Sequence, residues 1–278
     1  MAGHGKNPKM RLGLRVLLGI LIVIVLVHAV HAITLDRIVV FNEVTFSSPR
    51  VPSEMDGYRI GFVTDIHAMD TFDRRLQRIA DELNRRQIDL LLIGGDIALD
   101  HHDLDPAIAL LAQVVAADGM FGVEGNHDHY QALFAAMEAH GIRPLSNSGL
   151  YVREGFYLAG VEDLWNRNPD VNAAIAGAGA DSFVLLLSHN PDVSMQQDTT
   201  GVDLILSGHT HGGQLNFFGL WSIGLDTRII SAYGTRFRGG WAESSDGTPV
   251  YVCRGSGELY PRVFARPEVT LFTLVHES

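Results

Sequence analysis

Five short apolar runs in this chain each end within a few residues of a histidine, aspartate or asparagine, and the five endings come in order. Residues 58–64 lead to Asp65 and His67, and residues 88–93 lead to Gly95-Asp96. Residues 119–124 lead to Gly125-Asn126-His127-Asp128, residues 183–187 to Ser188-His189-Asn190, and residues 202–206 to Gly208-His209-Thr210-His211. Short runs rich in Val, Ile and Leu read as buried strands. In an open α/β sheet, groups that bind a ligand collect beyond the carboxyl ends of the strands. A chain patterned this way must gather its polar endings along one edge, and an α/β architecture does that. Taken singly, His67, His189, His209 and His211 are each better read as satisfied core histidines. The ordered set is what carries a metal reading.

The residue types suit one chemistry. Hydrolysis of a phosphate ester needs a nucleophile and relief of charge on the phosphoryl oxygens, and a pair of metal ions can supply both. Such a pair needs one carboxylate that reaches both ions, together with neutral nitrogen and oxygen ligands. Imidazole suits Zn, Fe and Ni, whereas carboxylate and carbonyl oxygens suit Mn and Mg. The mixed set favours two divalent transition ions, Mn, Zn, Fe or Ni, without naming one.

These motifs resemble those of the calcineurin-like metallophosphoesterases. The Gly208-His209-Thr210-His211-Gly212-Gly213-Gln214 form of the last segment resembles the membrane-tethered bacterial subgroup, as do Arg254-Gly255-Ser256-Gly257, Pro261-Arg262 and Arg266-Pro267-Glu268. The resemblance runs over residues 58–274. It implies two mixed sheets packed as a sandwich and flanked by helices. It implies that Asp65, His67 and His211 hold one metal, that Asn126, His189 and His209 hold the other, and that Asp96 bridges them. His127 would be catalytic rather than a ligand, stabilising the transition state or protonating the leaving oxygen during direct in-line attack by a metal-bridging hydroxide. Asp128 stands where many relatives carry Glu and would orient His127.

Between the runs, residues 72–86 predict an amphipathic helix, with Leu76, Ile79 and Leu83 on one face. Residues 106–117 predict a second, with Asp105 as N-cap and Pro106 at the first position. That leaves His101 and His102 in a solvated loop before the helix, the alternative being a substrate-proximal or adventitious metal site. Residues 130–140 predict a third helix, closed by Gly141. Strand and helix alternate up to about residue 130, which gives parallel pairing. The later half is richer in strands, at 150–153, 156–161, 249–253 and 269–274. His129 is expected near the pocket without a role, His28, His31 and His140 to be structural or exposed, and Asp203 to be a surface or cap residue.

The first 15 residues hold Lys6, Lys9, Arg11 and Arg15 and no acid, and residues 16–32 are apolar except for His28 and His31. A 17-residue apolar run is at the short limit for a membrane-spanning helix. Residues 1–33 are therefore read as a basic flank and a transmembrane signal anchor, 34–57 as a linker or edge segment, and 58–278 as the catalytic domain. The positive flank predicts a single-pass protein of the cell membrane with the domain outside the cytoplasm. Cleavage after Val30-His31-Ala32, releasing a secreted protein, is the competing reading. The chain carries a formal charge of −11, and about −15 once the four basic residues of that flank are set aside. An acidic body argues against nucleic-acid partners, which want a basic stripe. Cys253 is the single cysteine, so no internal disulfide is expected, and its apolar context predicts burial.

The segment after His211 places Phe217, Phe218, Leu220, Trp221 and Ile223 beside the ligands, with Arg228, Arg236 and Arg238 following. One reading is a core hairpin with surface arginines. The other is an apolar wall of Phe217 and Trp221 at the mouth of the site, with arginines contacting substrate phosphate. With the tether, the second reading points to a phospholipid or another lipid-linked phosphoester. Two rival functions are a pyrophosphatase of a nucleotide-activated glycolipid, of the UDP-diacylglucosamine hydrolase type, and a catalytically silent metal-stabilised binding scaffold. Degenerate scaffolds of that kind lack a ligand or the catalytic histidine, and this chain has them all.

Overall fold

The computed structural model describes residues 8–69, 74–257 and 261–277. The strands in chain order are β1 (Val40–Ser48), β2 (Arg59–Val63), β3 (Leu90–Ile93), β4 (Met120–Gly122) and β5 (Arg143–Pro144). They continue as β6 (Ser148–Arg153), β7 (Phe156–Gly160), β8 (Phe183–Leu187) and β9 (Leu204–Ser207). A small hairpin follows, β10 (Asn216–Phe217) and β11 (Trp221–Ser222), then β12 (Gly240–Glu243), β13 (Pro249–Val252) and β14 (Glu268–His276). The longer helices are α1 (Pro8–Ile33), α2 (Arg74–Arg86), α3 (His101–Leu111) and α4 (Tyr130–Ala139).

Two six-stranded sheets result, in the orders β1-β14-β2-β3-β4-β5 and β12-β13-β9-β8-β7-β6. Both are mixed. The central strands β2, β3 and β4 are parallel, as are β7, β8, β9 and β13, while β14 against β2, β6 against β7 and β12 against β13 are antiparallel. Period-two alternation sorts the apolar side chains into layers. Ile60, Phe62, Leu90 and Leu92 point between the sheets, where they meet Phe156, Leu158, Phe183 and Leu185. Val63, Leu91 and Ile93 face the other way, onto Leu76, Ile79 and Leu83 of α2 and Ile108 and Leu111 of α3. The outer face of the second sheet buries Val184, Leu186, Ile205 and Val252. This is the α/β sandwich flanked by helices that the resemblance implies.

The start of α3 and the expected His101–His102 loop differ from the structure, which also fills in other local detail. The segment expected as linker or edge carries a nine-residue edge strand, β1, paired in parallel with β14 from Val40 with Glu268 to Ser48 with His276. Helix α3 begins at His101 rather than at residue 106. Asp100 caps it by accepting from the His102 backbone N–H at 3.1 Å, and Pro106 lies inside the helix, forgoing one hydrogen bond. His101 and His102 therefore form a first helical turn, not a loop. For α2, Phe72 and Asp73 of the expected span lie outside the described residues.

Helix α1 is exposed along its apolar length and is the one helix, among the described residues, long and apolar enough to cross a membrane.

Candidate metal centre

Asp65, Asp96, Asn126, His189 and His209 lie two to four residues past the ends of β2, β3, β4, β8 and β9. The centre therefore draws on both sheets, at one end of the sandwich. The loops there are laced to one another. Asp65 N–H donates to Gly95 O at 2.9 Å, His67 N–H to Asp96 O at 3.0 Å, and His209 N–H to the Asp65 carboxylate at 3.0 Å. Asp65, His67, Asp96, His209 and His211 all have φ between 46° and 68°. Backbone held there in a non-glycine residue costs on the order of 1–3 kcal/mol and persists only where the surroundings enforce it. Two glycines make the crowding possible. A Cβ on Gly125 would run into the Asp96 carboxylate, and one on Gly208 into that of Asp65.

Ligand atoms of Asp65, His67, Asp96 and His211 lie within 4.8 Å of one another, and all four residues are buried. His67 Nε2 is 3.1 Å from His211 Nε2, and His211 Nε2 is 3.3 Å from Asp65 Oδ1. A second group forms around Asn126, whose Oδ1 is 3.1 Å from His189 Nε2 and 2.8 Å from His209 Nδ1. Between the groups stands one oxygen. Asp96 Oδ2 is 3.6 Å from His67 Nε2 and 3.4 Å from His189 Nε2.

The donor set fits cations. His189 donates Nδ1–H to Gly94 O at 2.7 Å, and His209 donates Nε2–H to Ile230 O at 3.0 Å. In their neutral forms each ring then turns an unprotonated nitrogen toward the Asn126 carbonyl oxygen, so three acceptors converge on one point. Outer hydrogen bonds of this kind fix the tautomer of a metal-binding histidine. Burial pushes His67 and His209 down to about 3, helped by the neighbouring imidazoles His211 and His189, so their lone pairs stay available. Burial alone would raise the carboxyls of Asp65 and Asp96. The imidazoles outweigh it, chiefly His211 for Asp65 and His189 for Asp96, and both stay well below the usual carboxylate range. His189 goes the other way: burial lowers it, but Asp96 beside it lifts it well above an ordinary histidine. An ion held there displaces that proton.

His127 is exposed beside the cluster. Its ring stands edge-on to His67 at 5.3 Å, and its backbone N–H donates to Asp96 Oδ1 at 2.8 Å. Asp128 turns elsewhere. Its carboxylate accepts the backbone N–H groups of Asp96 at 2.6 Å, Gly125 at 2.9 Å and Ile97 at 2.9 Å. Burial and the Asp96 charge push its carboxyl up to about 7, against the pull of the Gly125 and Ile97 amides. This geometry makes Asp128 a clamp on the loop that carries Asp96. Asp128→Asn is expected to lower stability by about 1–3 kcal/mol, the cost of a buried donor left unmatched, read as a lower denaturant midpoint. An unchanged midpoint with an altered pH–rate profile would instead assign Asp128 to His127.

Some neighbours escaped the sequence reading. Trp165 stands edge-on to His209 at 4.4 Å, and Asn166 donates to Asn126 O at 2.5 Å, both on the loop that follows β7. Asp163 shapes that loop by accepting the N–H groups of Trp165 and Asn166 at 2.9 Å. Its one signal was position, past the end of an apolar run. Arg262, wholly buried, donates Nη2–H to His211 Nδ1 at 3.0 Å. That contact holds the His211 ring in place from the side away from Asp65 and His67.

Phe217 and Trp221 are half exposed on the β10–β11 hairpin. Arg236 spends its guanidinium on Glu243 O, and Arg238 on Asn216 Oδ1 and the carbonyls of Gly219 and Leu220. Arg228 is exposed.

Residues 58–213 match the calcineurin-like phosphoesterase family. The chain is 32% identical to metallophosphoesterase YkuE of Bacillus subtilis (strain 168), over 84% of each chain. It is 31% identical to a transmembrane protein with metallophosphoesterase domain of Danio rerio, over 81% of this chain but 55% of that protein's length. Among solved structures, TT1561 of Thermus thermophilus aligns with a TM-score of 0.48 and 13% identity, over 73% of this chain and 90% of that one. On these motifs and matches, the chain belongs to the calcineurin-like phosphoesterases and is a metallophosphoesterase.

Proposed function

We propose that this chain hydrolyses a lipid-linked phosphoester at a two-metal centre. The observation that supports the reading is the Asp96 oxygen lying 3.6 and 3.4 Å from nitrogens of two separate donor groups. In this reading Asp65, His67 and His211 hold one ion, Asn126, His189 and His209 hold the other, and Asp96 is shared. When bound, such ions supply Lewis acidity toward phosphoryl oxygens and a nucleophile at neutral pH.

The chain's own groups do the rest. Buried carboxylates and oriented imidazoles keep the donor geometry fixed before substrate arrives, so little reorganisation is needed during reaction. His127, exposed at the rim, can donate a proton to the departing alcohol oxygen. Trp165 covers His209 and limits water on that side. The exposed apolar residues of the hairpin, with an apolar N-terminal helix, favour a substrate that brings acyl chains. Arg228 is the arginine we assign to the substrate phosphate; Arg236 and Arg238 hold the surrounding backbone.

The test uses the full chain in detergent micelles, stripped of metal and reloaded with Mn, Zn, Fe or Ni singly. Phosphatidic acid, a lipid pyrophosphate, a nucleotide-linked glycolipid and soluble chromogenic mono- and diesters are compared. A lipid ester is expected to exceed the soluble esters in kcat/KM by at least about tenfold, or roughly 1.4 kcal/mol of transition-state binding. Equal turnover of soluble esters would sink the lipid assignment, and no turnover with metals bound would favour a binding scaffold.

A further inference from the structure

The β10–β11 hairpin and the turn after it expose what a water-facing surface would bury. Phe217, Phe218, Leu220, Trp221, Ile223 and Ile229 are all exposed, Leu220 at 81% and Ile229 at 70%. Looseness does not explain this, because polar contacts pin the segment from within. Arg238 donates to the carbonyls of Gly219 at 2.8 Å and Leu220 at 3.2 Å and pairs with Asp226 at 3.2 Å. Asp226 accepts the Ser222 N–H at 2.7 Å, and Ser222 Oγ–H donates to Gly213 O at 2.7 Å. These contacts brace the backbone from within while the apolar side chains stay exposed.

The base of α1 packs on the same surface. The His28 ring lies 5.1 Å from Phe217, 4.6 Å from Phe218 and 5.2 Å from Phe264. His31 stacks on Phe264 at 3.7 Å and contacts Asp36 at 3.2 Å, and Asp36 accepts the Phe264 N–H at 2.7 Å. Twenty helical residues span about 30 Å, the thickness of the hydrocarbon layer. The apolar run from Val16 to Ala32 makes about 25 Å of helix and ends one residue past His31. His28 and His31, and so the hairpin packed on them, lie at the level where the helix leaves the lipid. Tryptophan and other aromatic residues favour that interface.

We propose that residues 215–230 form a membrane-docking wedge that enters the lipid–water interface on the side where α1 emerges. Its partner is the phospholipid bilayer. It deepens the lipid-facing reading above and shares with it the membrane placement of α1 and the exposed apolar hairpin. The wedge reaches the metal centre at both ends, because it starts just after His211 and its last residue, Ile230, accepts the His209 Nε2–H. Docking thus sets the centre at the boundary, within reach of a headgroup phosphate.

The test uses the full chain in vesicles of phosphatidylcholine brominated on acyl carbons 6 and 7, and reads no turnover, so it succeeds or fails independently of the substrate assay. Trp165→Phe with Trp241→Phe leaves Trp221 as the single fluorophore; Trp221→Phe with Trp241→Phe leaves Trp165. An interfacial segment buries about 5–10 Å deep, so Trp221 is expected to lose roughly half its emission, and Trp165 about a tenth or less. Quenching of Trp221 no greater than that of Trp165 would overturn the proposal. A second measurement keeps all three tryptophans and places a nitroxide on Leu220→Cys, since Cys253 is buried. The label is expected to meet dissolved oxygen more readily than a water-soluble nickel chelate, and the reverse order would overturn the proposal.

Discussion

Asp96→Asn is expected to strip the centre of metal and abolish turnover. Asparagine keeps an oxygen for the His127 N–H, 2.8 Å from Asp96 Oδ1. It replaces the other oxygen with an amide nitrogen whose hydrogens would face His67 Nε2 and His189 Nε2, now 3.6 and 3.4 Å away. Two nitrogens with lone pairs would then meet a donor instead of a shared anion. Loss of a hydrogen bond outside the ligand shell already costs about 10–100-fold in metal affinity, so loss of a shared ligand is expected to cost more than about 100-fold. Elemental analysis of the purified variant beside its rate checks this. Retention of both ions with full rate would remove Asp96 from the bridging role. The buried carboxylate is also an electrostatic counterweight, and without it His189 is expected to lose its raised proton affinity.

His127→Ala is expected to separate chemistry from metal binding. Its ring is exposed and stands beside His67 at 5.3 Å rather than inside either donor group. Metal content should therefore match the natural protein, while kcat falls by about 10²–10⁴-fold, the usual worth of a positioned acid or base. KM for a lipid ester should change little, because the acyl chains are proposed to lie against the hairpin, away from His127. If metals were lost with the side chain, His127 would be a ligand or a structural residue instead. If the rate were unchanged, the proton donor would have to be sought elsewhere, with His129 and His101, whose rings lie 5.4 Å apart near His127, as the next candidates.

The candidate ligands were legible because each belongs to a local signal. A short apolar run marks a strand, and a polar residue just past it marks a strand end. The apolar tract of α1 was legible for the same reason. Asp128 was not. Its neighbour in sequence is His127, yet its carboxylate serves amides of Asp96 and Ile97 on another loop. The contacts of Arg238 were not legible either: its guanidinium reaches the carbonyls of Gly219 and Leu220, on a hairpin that precedes it in the chain. The start of α3 was misplaced because Asp100 and Asp105 are both good caps, and only the folded loop decided between them.

The sequence by itself determined the strands that lead to the donor residues, the order of those residues, the apolar character of the N-terminal helix and the acidity of the body. These follow from periodicity and composition, which act over a few residues. The tertiary structure decided which donors face each other, that one oxygen of Asp96 stands between two groups, that β1 pairs with β14 from the far end of the chain, and that the base of α1 rests on the hairpin after His211. Those facts depend on distances between segments far apart in the chain. Such distances are set by how two sheets and their loops pack, and no local pattern encodes them.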